Sequence, residues 1–294
     1  MRTPTAAALI ATLAAAVALL RPSAAAQAQS AIPTGVLDRP CAALAPMPAE
    51  VAAYLAETAR ARATHQPEPA ASAQGVALYN AWQNLRLTQD FAGLCHYADQ
   101  NAALPPASGR RVVFFGDSIT ELWGLLDPGF FTHDVINRGI SGQTTAQMVG
   151  RFQEDVIALR PRAVVILAGT NDIAGNTGPT TLAWIEGNIR TLVETAKANH
   201  VRVVLASVLP AARYSWRPEV QPIPQIRALN EWLAGYAKSQ RLTFLDYRPP
   251  LDDGHAGFKA ELSADGVHPN AKGYALMRPL AERAMREALS RRAP

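Results

Sequence analysis

Four short stretches carry polar residues that together are able to do acyl-transfer chemistry. They are Gly116-Asp117-Ser118, then Asn137-Arg138-Gly139-Ile140-Ser141-Gly142, then Gly169-Thr170-Asn171-Asp172, and last Asp265-Gly266-Val267-His268-Pro269. A serine hydroxyl is a weak nucleophile until an adjacent base takes its proton. His268 supplies that base if its Nε2 reaches the Ser118 oxygen. Asp265, three residues earlier in the same loop, can accept from Nδ1, hold the tautomer and steady the imidazolium. Each residue alone has a plainer reading. Ser118 and Asn171 suit helix caps, Asp265 suits a turn, and His268 suits the surface.

Such a set works only if the fold brings distant parts of the chain to one edge. Val112–Phe115 is a short, unbroken, β-prone apolar run, the pattern of a strand buried on both faces. Further runs predict strands at Asp134–Ile136, Ala163–Leu167, Val201–Ser207 and Leu242–Leu245. Helices alternate with them. Leu182, Ile185, Ile189, Leu192, Val193 and Ala196 recur at helical spacing, with Asn199 as the stop. Ile226, Leu229, Leu233 and Tyr236 form a second stripe after Pro224. Asn270 is placed to cap a last helix, which Pro279 is expected to kink or break. This alternation predicts an α/β class: a doubly wound parallel sheet with helices on both faces. The carboxyl ends of its strands share one edge, so the first three polar stretches converge there.

From Arg111 to the end, the four stretches in this order resemble the SGNH/GDSL hydrolase superfamily of serine esterases and lipases. The resemblance implies a flavodoxin-like, five-stranded SGNH hydrolase fold over residues 111–294. It implies Ser118, Asp265 and His268 as the catalytic residues. It assigns the oxyanion hole to the Ser118 N–H, the Gly142 N–H and the Asn171 side chain. Those assignments make physical sense. Gly142 has no Cβ, so its backbone can approach a substrate. Asn171 donates without carrying charge. Asp117, Ser141 and Asp172 are expected to brace the loops. Thr120 stands where the Gly-x-Ser-x-Gly elbow of α/β-hydrolases needs its second glycine, which disfavours that fold. No cofactor is implied. Asp252-Asp253-Gly254-His255 comes nearest to a metal-ligand cluster, but no metal site is expected. His133, His200 and His255 read as structural or exposed.

The beginning of the chain has another character. Arg2, the apolar run Ala6–Leu20 and the small residues Ala24-Ala25-Ala26 predict a secretory signal peptide over residues 1–28. An uncleaved anchor is the alternative. Residues 29–110 read as a helical N-terminal extension, to which the resemblance gives no role. Helices are expected at Pro48–Arg62, Val76–Leu85 and Thr88–Leu104, with Thr88 as an N-cap and His65–Gln74 as a linker. Phe91, Leu94, Cys95 and Ala98 would share one helical face, with His96 beside it as a surface or packing residue. Cys41 and Cys95 are the two cysteines. Export makes one disulfide plausible, and two small buried residues is the other reading.

The 294 residues are 49% hydrophobic and 18% charged, with a formal net charge of +4, an ordinary globular balance. There is no long basic block, so no nucleic-acid partner is expected. Arg291-Arg292 reads as cations at a helix end. No later apolar stretch predicts stable membrane insertion or a lid for bulk lipid. Leu209–Pro222, with Arg213, Tyr214, Trp216 and Arg217, should overhang the sheet edge. With Trp123 it would form an aromatic wall, unless it only packs on itself. The expected partner is a small-molecule or glycan ester, with short acyl groups such as O-acetyl on sugars foremost. Lysophospholipid or thioester hydrolysis is the rival within the class. A non-catalytic exported carbohydrate-binding protein is the rival outside it. The oligomeric state and the choice between periplasm and exterior are left open.

Overall fold

Val112 and Phe114 pack on one side of a central sheet, and Val113 and Phe115 on the other. That alternation, together with burial along the whole strand, is why the run is apolar at every position. A computed structural model describes residues 35–290, apart from 65, 67, 68, 71 and 133. The expected leader at 1–28, His133 and Arg291-Arg292 lie outside the described residues. The chain forms two compact units that divide after Pro46. The described part of the first holds a 3-10 turn at Pro40–Ala43. Apart from Cys41, everything below belongs to the second.

The strands are β1 (Val112–Gly116), β2 (Val135–Gly139), β3 (Ala163–Leu167), β4 (Arg202–Ala206) and β5 (Thr243–Leu245). They run parallel in the order β2-β1-β3-β4-β5, the flavodoxin-like doubly wound order. β2 is longer than expected and reaches past Ile136. Asn137, Arg138 and Gly139 pair with Phe114, Phe115 and Gly116 and lie inside the strand rather than after it. β2 is an edge strand, so it tolerates polar residues that a central strand would not. Arg138 is buried there, with its guanidinium over the Tyr97 ring at 4.6 Å.

Helices cover both faces. On one lie α5 (Thr145–Asp155), α7 (Leu182–Ala198) and α8 (Pro222–Ser239). They bury Met148, Phe152, Ile185, Ile189, Leu192, Leu229 and Leu233 against β1, β3 and β4. On the other lie α4 (Ser118–Leu126) and α10 (Ala271–Ser290), which bury Ile119, Trp123, Tyr274 and Met277. Each such side chain contributes about 1.5–3 kcal/mol when fully buried. α6 (Thr170–Ile173) and α9 (Arg248–Leu251) are single turns. Asn270 caps α10 as expected, accepting from the N–H groups of Lys272 and Gly273 at 3.0 and 3.1 Å. Pro279 does not break α10. It lies on the exposed side with Ala275, whose freed carbonyl water can satisfy.

The helical extension departs from expectation. α1 (Ala49–Thr64) is close to the predicted helix. α2 runs unbroken over Ala73–Gln89 and is capped by Ser72, so it starts inside the expected linker. Thr88 is its last turn and not an N-cap; its hydroxyl donates back to the Leu85 carbonyl at 2.8 Å. Residues 90–97 form turns, and α3 is short, Ala98–Ala103. Gly93 at φ +73° breaks the helix that Phe91, Leu94, Cys95 and Ala98 would have shared, and Phe91 and Leu94 are exposed. Neither cysteine is a free thiol. Cys41 is exposed and Cys95 half-buried, so the reading of two buried residues fails.

Candidate active site

Gly116 of β1, Gly139 of β2 and Leu167 of β3 stand in register at the carboxyl edge of the sheet. Ser118, Gly142 and Asn171 each follow within four residues of that edge. Parallel pairing thus turns three separated stretches into neighbours. The local chain explains each position. Asp117 caps α4, its Oδ1 accepting from the Ile119 N–H at 3.0 Å. Ser118 is therefore the first helical residue and not the cap. Its N–H is one of the donors that a helix start leaves without an intrahelical partner.

The fourth stretch arrives from the far end of the chain. An isolated bridge joins Ser263 to Pro269 and closes a loop, with Gly266 at φ +76°. Asp265 Oδ1 accepts from the N–H groups of Val267 and His268 at 2.9 and 2.8 Å. Its Oδ2 lies 2.6 Å from His268 Nδ1. His268 Nε2 in turn lies 2.8 Å from Ser118 Oγ. A carboxylate can only accept, so Nδ1 carries the ring proton and Nε2 is left to receive the serine proton. The Tyr274 hydroxyl donates to the Ile119 carbonyl at 2.7 Å, tying α10 to the start of α4 and holding the two halves of this array together.

Gly142 sits at φ +80°, a left-handed conformation that few other residues adopt without strain. Asn171 is buried, and its amide nitrogen donates one hydrogen to the Gln143 carbonyl at 3.0 Å. The second amide hydrogen remains for a ligand. The residues expected to brace the loops do so. The Ser141 N–H donates to Glu121 Oε2 at 2.8 Å, and its hydroxyl donates to the same oxygen. Asp172 accepts from the Thr145 N–H and hydroxyl at 2.9 and 2.5 Å. Burial raises the Glu121 carboxyl, but the His96 bond and charge at 3.2 Å and the Ser141 donors outweigh it, and the pKa ends below its ordinary value. Burial pushes Asp117 up to about 6, against the Ile119 N–H and the nearby His268, which pull it down.

Several residues escaped sequence reasoning. Asn176 donates to Asn171 Oδ1 at 2.8 Å and to the Gly142 carbonyl at 3.2 Å, so it orients both candidate donors at once. Fully buried Arg151 donates to the Gly116 carbonyl at 2.9 Å, the Arg138 carbonyl at 3.0 Å and Gln143 at 2.5 Å, pinning two strand ends and the loop beyond them. Its charge is balanced by Asp155 at 2.9 Å. From the extension, α2 brings Gln83 to the site. A Cβ placed on Gly142 would lie 3.7 Å from Gln83 Nε2. Asn176, Arg151 and Gln83 carry no motif that marks them in the sequence.

The aromatic wall is half right. The Trp216 ring lies 6.3 Å from the His268 ring, and its N–H donates to Asn176 Oδ1 at 3.1 Å. Trp123 does not take part. It is buried in the core between Phe130 and Tyr274, with ring centroids at 4.9 and 5.3 Å. It faces the core because Ile119 and Trp123 lie one turn apart on the buried side of α4. Tyr214 is buried beneath Trp216, and Arg213 is exposed. No group of three or more metal-ligating side chains stands among the described residues. Asp253 instead closes a turn, accepting from the N–H groups of His255 and Gly257 at 2.7 and 3.0 Å.

A flavodoxin-like sheet with a Ser-His-Asp array at its carboxyl edge defines an SGNH-type hydrolase architecture. The chain belongs to the GDSL-like Lipase/Acylhydrolase family, whose model matches residues 114–276. A GDSL-like lipase from Bacteroides thetaiotaomicron is 45% identical, with a TM-score of 0.66 over 68% of this chain and 100% of that one. Esterase TesA of Pseudomonas aeruginosa is 25% identical over 177 residues, 55% of this chain and 81% of that protein. An acetylxylan esterase of Geobacillus stearothermophilus is 33% identical over 90 residues, 22% of this chain. The match spans only 41% of that esterase.

Proposed function

We propose that the protein is an exported serine esterase that removes short acyl groups, acetyl foremost, from carbohydrate esters. One observation carries the mechanism: the unbroken line Ser118 Oγ, His268 Nε2, His268 Nδ1, Asp265 Oδ2, with steps of 2.8 and 2.6 Å. Ser118 Oγ attacks the ester carbonyl while its proton passes to His268 Nε2. The carbonyl oxygen takes up negative charge and is met by the N–H groups of Ser118 and Gly142 and the second amide hydrogen of Asn171. The imidazolium, steadied by Asp265, returns the proton to the leaving alcohol. Water then repeats the sequence on the acyl-serine, releasing the acid and restoring the hydroxyl.

The choice of substrate rests on different support. Trp216 beside His268 offers an aromatic face for a sugar or a small acyl group. The acetylxylan esterase relative points the same way. Export rests on the pattern of residues 1–28. In this reading residues 111–294 are the hydrolase domain and residues 29–110 an added helical segment. No helix among the described residues is long and apolar enough to cross a membrane.

A panel of p-nitrophenyl esters of rising chain length, acetylated xylo-oligosaccharides and a lysophospholipid tests the assignment, with Ser118→Ala protein as the blank. Acetyl release from the small ester and the glycan, falling steeply with chain length, is expected. Preference for long acyl chains or for the lysophospholipid would move the protein to lipid hydrolysis. No difference from the blank on any ester would reject the enzyme reading.

A further inference from the structure

Four of the five tryptophans are engaged with other rings. Trp82 meets Tyr79, Trp123 meets Phe130 and Tyr274, Trp216 meets Tyr214, and Trp232 meets Tyr236. Trp184 makes no ring or cation contact among the described residues, and it is 66% exposed. A single exposed apolar residue says little by itself. Trp184, however, lines a cavity of about 280 Å³ together with Thr144, Asp172, Thr177, Thr180 and Asn188. Ser118, Gly142, Asp265 and His268 are not among its walls.

The lining selects a ligand by its chemistry. The indole, Ala146 and Pro179 form its apolar side, hydroxyls, an amide and a carboxylate line the rest, and none of the lining side chains is basic. A phosphate would need cations or a nest of N–H groups. An acyl chain would need continuous apolar walls. A sugar ring fits both halves, its C–H face on the indole and its hydroxyls toward the polar groups. Those groups are already held in place. Asn188 Nδ2 donates to Thr145 Oγ1 at 2.9 Å, which fixes the amide and leaves Oδ1 to accept. The Thr177 hydroxyl donates to Thr144 Oγ1 at 3.2 Å. Side chains fixed before binding lose less entropy when a ligand arrives.

The position of the cavity links it to the reaction. Thr144 follows Gly142 by two residues, Asp172 follows Asn171, and Thr177 follows Asn176. Part of its wall therefore comes from the segments that carry the candidate oxyanion donors, and the rest from α5 and α7. We propose that this cavity is a saccharide subsite, holding a neighbouring sugar of the glycan whose ester is cleaved at Ser118. The assignment rests on the glycan-ester reading above.

Calorimetric titration of Ser118→Ala protein with xylohexaose and cellohexaose, neither of which carries an ester, tests it. Saturable binding of at least one is expected. Trp184→Ala in that background should weaken it by about tenfold or more. Trp184→Phe, which keeps an aromatic face, should retain most of the affinity. With Ser118 intact, Trp184→Ala should leave p-nitrophenyl acetate turnover unchanged. Equal binding with and without the indole would overturn the subsite, as would no binding of either sugar. Loss of p-nitrophenyl acetate turnover in the parent protein would instead strike at the esterase reading, and the titration would still decide the cavity.

Discussion

The Trp216 indole N–H is held at 3.1 Å by Oδ1 of Asn176, whose own amide nitrogen holds Oδ1 of Asn171 at 2.8 Å. The aromatic group beside His268 and the candidate oxyanion donor therefore share one anchor. Asn176→Ala releases both. The expected result is a fall in kcat of about tenfold to a hundredfold, because a donor misplaced by about 1 Å costs that much. KM for a small acetyl ester should change little. Steady-state kinetics on p-nitrophenyl acetate measure the split. A change confined to KM would show that Asn176 serves binding and not the aim of Asn171.

Two glycines of the same edge should fail in different ways. A Cβ on Gly139 would stand 2.2 Å from the Glu121 backbone nitrogen and 2.7 Å from the Asp117 carbonyl oxygen. Backbone cannot step aside as a side-chain tip can, so Gly139→Ala should lose about 3 kcal/mol of stability or more. Gly142 has room, its nearest neighbour for such an atom lying at 3.7 Å, but its φ is +80°. Gly142→Ala should cost only about 1–2 kcal/mol of stability while turning the N–H off the oxyanion. Thermal melts and kcat, measured on both, separate the cases. A better-folded Gly139→Ala with a less active site than Gly142→Ala would contradict the geometry.

Asp117 gives stability a defined pH dependence. Burial holds its carboxyl up at about 6, against an ordinary 3.8, so the folded state favours the protonated form. The contribution is complete below the ordinary value and is lost as pH rises through about 6. Asn cannot titrate. Measured against the parent, Asp117→Asn should therefore gain stability between about pH 4 and pH 7, by up to about 3 kcal/mol. Urea unfolding at the two pH values reads this difference directly. A difference that stays level or falls with pH would show that the carboxyl is ionised throughout.

What was legible in the sequence follows from how local each signal is. β3 was readable to the residue, because Ala163–Leu167 is apolar throughout and buried on both faces. α7 and its stop at Asn199 were readable from spacing alone. β2 looks shorter in the sequence than it is, since Asn137, Arg138 and Gly139 have the composition of a loop and the stacking of Arg138 on Tyr97 accommodates the charge in a strand. The segment after α2 kept a helical rhythm from Phe91 to Ala98 that Gly93 interrupts. Trp123 resembled a site residue by nearness to Ser118 in the chain, yet its turn of helix points into the core. Ser118, Gly142, Asn171, Asp265 and His268 are legible as candidates because their types and order carry the pattern. Asn176 and Arg151 act through hydrogen bonds across 34 and 35 positions of chain, to Gly142 and Gly116, and Gln83 comes near Gly142 from 59 positions away, so only folding brings those together.

Covalent capture at Ser118 is the most direct test of the mechanism. Phenylmethylsulfonyl fluoride transfers its sulfonyl group to an activated serine oxygen with loss of fluoride. The parent protein should gain the mass of one sulfonyl group, mapped by tandem mass spectrometry to the peptide containing Ser118, as acetyl ester hydrolysis is lost in step. His268→Ala should label far more slowly, and Ser118→Ala should neither label nor turn over, a loss of roughly 10⁴-fold or more. Labelling on another residue, or hydrolysis by Ser118→Ala near the parent rate, would contradict Ser118 as the nucleophile.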